Sequence, residues 1–137
     1  MFSGWNIDIY TVFGSGLKNV RKYQTNHIME YINRIEIRGK VGKVDITTVG
    51  RYRCSRMSVM TNYLFSDLAG NNMIETTWFT VTAWDDNPQV KDAFEAGEGD
   101  AIHIIGRVRI NRYTAPDGSE RTAVEVIAQS VKIMREG

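Results

Sequence analysis

The fold of this chain is decided by the stretch Trp78-Phe79-Thr80-Val81-Thr82-Ala83-Trp84. Aromatic and β-branched residues alternate here without Gly or Pro, which predicts a β-strand. Because the side chains of a strand alternate between two faces, the tryptophans share one face with the threonines, and Phe79, Val81 and Ala83 form an ordinary core face. The tryptophan side has two interpretations. Either it is buried as well, or it exposes two indole rings on which another aromatic group stacks.

Length and cysteine content limit the class of protein. The 137 residues are enough for one domain with a hydrophobic core and too few for two comfortable ones. The only cysteine, Cys54, excludes an internal disulfide and a cysteine-based metal site. No apolar run reaches transmembrane length, and no segment has the pattern of a signal peptide. These features predict a soluble protein of a reducing compartment with no membrane partner.

Charge is unevenly distributed along the chain, although the net charge is only +1. Residues 34–56 contain seven basic side chains against two acidic ones, whereas residues 85–100 contain six acidic side chains against one lysine. The first region therefore favours contact with anions, and the second opposes it.

The first regular pattern begins at Ile35. Apolar residues alternate with charged ones up to Val41, and Gly39 and Gly42 lie inside this strand, which indicates a bulge or a close backbone approach. Four further strand patterns cover residues 51–65, 73–85, 101–113 and 120–134.

One short helix is predicted between the third and fourth strands. Asn87 is suited to the N-cap, Pro88 to the first helical position and Gly97 to the closing position. The order of elements predicts an all-β protein with the OB-fold, a five-stranded Greek-key β-barrel with one short helix between strands 3 and 4. The ligand face of this fold is centred on strands 2 and 3.

The fourth strand places polar groups on one side. Four residues of the same parity are Arg107, Arg109, Asn111 and Tyr113, while Val108 and Ile110 are expected to face the core. Arginines interleaved with aromatic rings are typical of surfaces that bind single-stranded nucleic acid, because rings stack on bases and guanidinium groups follow phosphates.

An enzyme is not indicated. The sequence contains no nucleophile–His–carboxylate set, no phosphate-cradling glycine loop and no metal cluster, so neither a cofactor nor a metal is expected. His103 lies in a predicted strand and is interpreted as structural.

The chain resembles the DNA-binding core of bacterial single-stranded-DNA-binding proteins over about three quarters of its length. The segments that carry the resemblance are residues 33–42, 75–81, 105–109, 113–122 and 124–126. The resemblance implies a protein that binds and coats single-stranded DNA with little sequence specificity in replication, recombination or repair. It also implies a cytoplasmic, nucleoid-associated location.

The resemblance assigns roles to individual residues. The family stacks bases at four places, which match Phe65, Trp78, Trp84 and Tyr113. Its basic groove matches Arg109 and Arg112. Charge and strand parity add four further candidates for DNA contact, namely Arg38, Arg53, Arg56 and Arg107.

Assembly and the ends of the chain form a separate set of expectations. The family forms homotetramers in which first strands pair between subunits, and the strand from Arg34 to Gly42 fits such an edge, with a dimer as the other possibility. Residues 1–28 have no counterpart and are interpreted as a poorly ordered extension or a non-native start, with the domain covering residues 29–137. The family's acidic tail, which recruits replication proteins, has no match here.

One alternative class of binding protein stays open. The chain could be another tail-less OB-fold module, such as a primosomal-type dimer or a domain that holds RNA or protein. Such modules need not carry four aromatic residues along one path, so mutation of those residues discriminates between the two classes.

Overall fold

The computed structural model describes residues 29–135, of which residues 33–135 form one compact unit. Its elements are β1 (Ile35–Val49), β2 (Tyr52–Ser66), β3 (Asn72–Trp84), a 3-10 helix (Pro88–Phe94), β4 (Ala101–Thr114) and β5 (Glu120–Ile133). The strands close into a barrel in the order β1-β2-β3-β5-β4. The predicted OB-fold with its helix between the third and fourth strands is confirmed. The predicted extension at residues 1–28 lies outside the described residues.

Strand pairing divides β1 between two neighbours. Its first part pairs antiparallel with β4 from Ile35 to Lys40, and its second part pairs with β2 from Lys40 to Val49. The β2–β3 and β4–β5 hairpins are long and antiparallel, and β3 meets β5 in parallel through the pairs Val81↔Val126 and Thr82↔Ile127. The barrel is therefore closed by one short parallel seam.

The core lies inside the barrel and takes side chains from every strand. Alternate residues of each strand point inward, as the apolar alternation predicts. Fully buried members include Val59, Val81, Ile102, Ile104 and Val126. The 3-10 helix contributes Val90 and Ala93, both 0% exposed, to the same cluster.

Both long hairpins continue beyond the barrel as two-stranded arms. Side chains on these arms are exposed on both faces, because no second layer covers them. Ile110 lies on the β4–β5 arm, opposite Val124, and is 63% exposed. The expectation that Ile110 faces the core is therefore wrong. Ile110 lies on the same side of β4 as the core residues, but the barrel ends before it.

The start of the helix agrees with the sequence, and its end does not. The Asn87 side chain accepts a hydrogen bond from the Gln89 N–H at 2.9 Å, and Pro88 follows it. The helix ends at Phe94 with Glu95 as its C-cap. The Gly97 N–H donates to the Asp100 carboxylate at 2.8 Å, so Gly97 belongs to the following turn and the prediction that it closes the helix is wrong.

Side chains tie the helix to the barrel. The Asp92 carboxylate accepts the Ile133 N–H of β5 at 2.8 Å, and the buried Ser55 hydroxyl of β2 donates to the Ala93 carbonyl at 2.9 Å. The Ile133 N–H also holds the pKa of Asp92 below its ordinary value. No helix in the described part of the chain is long and apolar enough to cross a membrane.

Candidate nucleic-acid interface

The outward side of β3 carries two exposed indole rings. Trp78 is 58% exposed and Trp84 is 37% exposed, whereas Val81 and Ala83 on the opposite side are completely buried. The interpretation in which both faces of this strand are buried is thereby excluded. We call the outward residues of β3, namely Trp78, Thr80, Thr82 and Trp84, the tryptophan face. Its two rings are about 20 Å apart along the strand, from six residues at about 3.3 Å each.

A glycine in β1 leaves room for Trp78. The register of β1 with β2 shifts between Val41 and Val44, which places a β-bulge at Gly42. A Cβ atom added to Gly42 would lie 2.7 Å from Cζ3 of Trp78 and 2.8 Å from the Ser58 hydroxyl. The indole therefore lies directly over the glycine backbone. The close backbone approach that the strand glycines indicate is confirmed at this position.

The tryptophan face continues across β5 to β4 through a buried carboxylate. The Thr82 hydroxyl donates to Oε2 of Glu125 at 2.8 Å, and Oε1 of Glu125 lies 3.2 Å from Nη2 of Arg109. Thr82 is 5% exposed and Glu125 is 6% exposed. The position of Thr82 in the strand suggests an exposed hydroxyl between the two tryptophans. In the structure this hydroxyl is instead buried in a hydrogen-bonded network that joins β3 to β5.

On its other side the tryptophan face meets a cleft between β1, β2 and β3. The cleft has a volume of about 210 Å³ and includes Thr80 of the tryptophan face. Its lining consists of two cations, one carboxylate, two hydroxyl groups and a thioether, from Lys43, Arg56, Asp45, Ser58, Thr80 and Met57.

Three of the predicted arginines lie on this outward surface. Arg56 is exposed and is in register with Thr82. Arg107 and Arg109 are exposed on β4 and lie on the same side of the sheet as Glu125 of β5. The structure thus brings these arginines and the two tryptophans onto one continuous side of the barrel.

Two other predicted arginines are placed differently. Arg38 is exposed on β1 beside His103 of β4, two strands away from β3 by the shorter route around the barrel. Arg53 is already engaged: its backbone N–H and its Nε donate to Asp85 at 2.9 and 3.0 Å, and its guanidinium lies 4.6 Å from the centre of the Phe94 ring. Arg53 therefore joins β2 to the end of β3 and to the helix.

The remaining predicted contacts lie on the hairpin arms. Tyr113 is 48% exposed and shares the outward side of β4 with Arg109, whereas Arg112 points to the opposite side. Phe65 is 41% exposed, but its register with Met73 places it on the opposite side of the β2–β3 ribbon from Trp78. The four predicted aromatic residues are all accessible, but they do not share one face.

Sequence reasoning missed a fifth aromatic residue. The Tyr63 ring is stacked against the Phe65 ring with centroids 6.0 Å apart and an interplanar angle of 22°. Tyr63 is 65% exposed. The i, i+2 spacing of the two rings on one strand was the available signal. The β2–β3 arm therefore offers a pair of rings rather than one.

Hydrogen bonding and burial shift several pKa values near this surface. The Arg53 N–H holds the pKa of the Asp85 carboxyl below its ordinary value. Burial raises the pKa of the Cys54 thiol, Arg56 opposes this rise and Glu125 adds to it. Cys54 is in register with Trp84 and is a buried neutral thiol.

The chemical groups on this surface are suited to binding. Within residues 29–135 no cluster of His, Cys, Asp or Glu could hold a metal ion. What the surface offers is ring faces for stacking and guanidinium groups for anions, which is the combination used for single-stranded nucleic acid. The fold and this surface define an OB-fold barrel with an aromatic and cationic outer side.

The chain belongs to the single-strand binding protein family, whose model matches residues 32–134. Among curated relatives, a single-stranded DNA-binding protein of Neisseria meningitidis serogroup A is 24% identical over 106 residues, which are 75% of this chain and 60% of that protein. A single-stranded DNA-binding protein of Xylella fastidiosa is 26% identical over 105 residues, which are 75% of this chain and 63% of that protein. The chain thus spans less than two thirds of the length of these relatives.

Solved structures share the barrel. An SSB of Plasmodium falciparum in complex with ssDNA superposes with a TM-score of 0.70 at 16% identity, covering 79% of this chain and 99% of that one. A deletion variant of the single-stranded DNA binding protein from Thermus aquaticus superposes with a TM-score of 0.62 at 18% identity, covering 76% of this chain and 51% of that one. At these identities the likeness shows the fold.

Proposed function

We propose that this protein binds and coats single-stranded DNA with little sequence specificity, as a non-enzymatic protein of replication, recombination or repair. The observation that carries the proposal is the outward exposure of Trp78 and Trp84 on a surface that continues to Arg109, in a chain of the single-strand binding protein family. A cytoplasmic, nucleoid-associated location follows from this function and stays a prediction.

The chemistry of the surface favours single strands. Bases can stack on Trp78 and Trp84 only when they are not already stacked and paired in a duplex. Stacking accepts every base, because each has a π-face, whereas readout of base edges needs donors and acceptors in a fixed arrangement. Arg56, Arg107 and Arg109 surround the rings with positive charge and contact the backbone phosphates.

The hairpin arms extend the proposed path. Tyr113 continues the outward side of β4 beyond the barrel, while Tyr63 and Phe65 form a second stacking place on the β2–β3 arm. Because Phe65 faces away from Trp78, a strand that uses both must cross the edge of this arm. The DNA would then wrap around the domain rather than lie along one groove.

A titration tests the function directly. The full chain is mixed with single-stranded oligothymidylate and with a duplex of the same length, and tryptophan fluorescence and the anisotropy of a labelled oligonucleotide are recorded. We expect strong quenching and tight binding for the single strand, and a log–log salt slope of about −0.7 for each phosphate contact. Equal affinity for the duplex would contradict the proposal.

We further propose that the protein is a homotetramer built on pairing of first strands. In β1 the residues from Ile35 to Gly39 pair with β4 on one side, and registered pairing with β2 begins only at Lys40. Among residues 29–135 the other edge of this segment has no registered partner strand before Lys40, so it can pair with a second copy of itself around a two-fold axis.

A further inference from the structure

Glu125 is the one charged side chain among the buried residues of the described chain, at 6% exposed. It does not belong to the core, because its side chain lies on the outward side of β5, opposite to Val126. A carboxylate is costly to bury unless it is paired and hydrogen-bonded. Both oxygens are indeed occupied, one by the Thr82 hydroxyl and the other by Arg109.

These contacts lie in a row across the outward surface. Arg56 of β2 is in register with Thr82 of β3, Thr82 is bonded to Glu125 of β5, and Glu125 is in register with Arg109 of β4. Thr82 lies between Trp78 and Trp84 along β3. The buried carboxylate therefore lies beside the stretch of β3 between the two exposed rings, nearer to Trp84, and between two arginines.

The pairing leaves Arg109 available to a ligand. The contact at 3.2 Å joins one guanidinium nitrogen to one carboxylate oxygen, and the Arg109 side chain remains 48% exposed. A guanidinium carries five N–H donors in a planar fork, so several stay free although Nη2 of Arg109 also contacts Oδ1 of Asn111 at 3.5 Å. A side chain held in place before binding also loses less conformational entropy on binding.

We propose that Glu125 is a positioning residue for single-strand binding, which fixes the Arg109 guanidinium so that its free donors meet a backbone phosphate passing between Trp78 and Trp84. Thr82 completes the arrangement by holding the second carboxylate oxygen. The inference rests on the proposed function and adds a residue that does not itself contact DNA.

A double-mutant cycle tests the inference. Binding of oligothymidylate is measured for the unaltered chain, Glu125→Gln, Arg109→Ala and the double variant at several salt concentrations. We expect each single variant to bind about three- to tenfold more weakly, as for one half-exposed charged contact. The double variant should be no weaker than Arg109→Ala. The salt slope should fall by about 0.7 in all three variants.

A matched control removes the same charge from the same strand. Glu120 is exposed near the start of β5, so Glu120→Gln should bind as well as the unaltered chain or slightly more tightly, because one repulsive charge is gone. Glu125→Gln should bind oligothymidylate more weakly than the unaltered chain, in contrast to this control. If it binds more tightly as well, the carboxylate competes with phosphate and the inference is wrong.

Further outcomes separate folding from positioning. Melting temperatures are recorded for every variant, and if Glu125→Gln does not fold, Thr82→Val replaces it in the cycle and should weaken binding in the same direction. Additive losses in the double variant would show that Glu125 acts elsewhere. Failure of the unaltered chain to bind oligothymidylate would overturn the proposed function, whereas normal binding by Glu125→Gln beside weakened Arg109→Ala would overturn the positioning role alone.

Discussion

Trp78 separates binding from stability at the level of single residues. It is mostly exposed, so its loss should leave the fold intact while removing one stacking surface. We expect Trp78→Ala to weaken single-strand binding by about 1–3 kcal/mol, which is roughly five- to a hundredfold in affinity. The same is expected of Trp84→Ala. Oligonucleotide anisotropy measures the affinity, and thermal melting monitors the fold.

Phe79 is the matched control on the opposite side of β3. It packs against the core cluster and is half-buried, so Phe79→Ala should lower the free energy of unfolding by about 3 kcal/mol. Variant protein that remains folded should bind DNA normally. A Trp78→Ala protein that melts early but binds with full affinity would show that the indole is structural.

Gly42 offers a test in which no proposed DNA-contacting residue is itself replaced. In Gly42→Ala the new methyl group would press on the Trp78 ring at 2.7 Å, and the exposed indole is free to move away. We expect weaker single-strand binding and a shifted tryptophan emission in the free protein. Gly97→Ala is the control, because a Cβ there meets nothing within 4 Å. Equal affinity in both variants would mean that the indole position above Gly42 does not matter.

At the level of elements, Asp85 connects β3 to β2 and to the helix. Its carboxylate accepts two donors from Arg53, whose guanidinium covers Phe94. The pKa of Asp85 is lowered in the folded protein, chiefly by the Arg53 N–H. Its contribution to stability is therefore fully present above its ordinary pKa of 3.8 and is lost as the pH falls through the folded pKa.

Melting temperatures across pH should show this link. We expect Asp85→Asn to melt earlier than the unaltered protein at pH 7, and the difference should shrink as the pH falls below about 4. Asp86→Asn, which alters an exposed neighbour, serves as the control. A difference between Asp85→Asn and the unaltered protein that does not change with pH would contradict the assignment. Arg53→Ala should likewise affect stability more than DNA affinity.

The elements were predictable where a local pattern carries the information. All five strands follow from alternation and turn residues, and the helix start follows from Asn87 and Pro88. The attachment of the helix to the barrel was not predictable, because Asp92 is held by Ile133 of β5, 41 residues away. The burial of Thr82 likewise depends on Glu125, 43 residues away.

The candidate site was predictable in composition and less so in arrangement. Strand parity correctly placed Arg107, Arg109 and Tyr113 on one side of β4. It could not show that Arg53 is occupied by Asp85, or that Phe65 faces away from Trp78, since both depend on pairing between strands. Charge along the chain also placed Arg38 in the basic region, but the barrel turns it toward His103.

For the whole molecule, the open edge of β1 predicts self-association. A tetramer should have a mass of about 62 kDa, four times the chain mass of 15.6 kDa. Light scattering of the full chain at micromolar concentration, with and without oligothymidylate, measures this mass. A monomer would contradict pairing through β1, and a stable dimer would keep that pairing but exclude the tetramer.

The short parallel seam between β3 and β5 has a consequence for how the barrel opens. Only two residue pairs join these strands, and the Thr82–Glu125 hydrogen bond lies beside them, whereas each of the other seams has at least six pairs. Local separation there would turn the closed barrel into an open five-stranded sheet. A bound strand in contact with Trp84 on β3 and Arg109 on β4 would span this seam and resist its separation. Amide hydrogens of Val81, Thr82 and Val126 would then exchange more slowly in the complex, because the bound DNA keeps the seam between β3 and β5 closed.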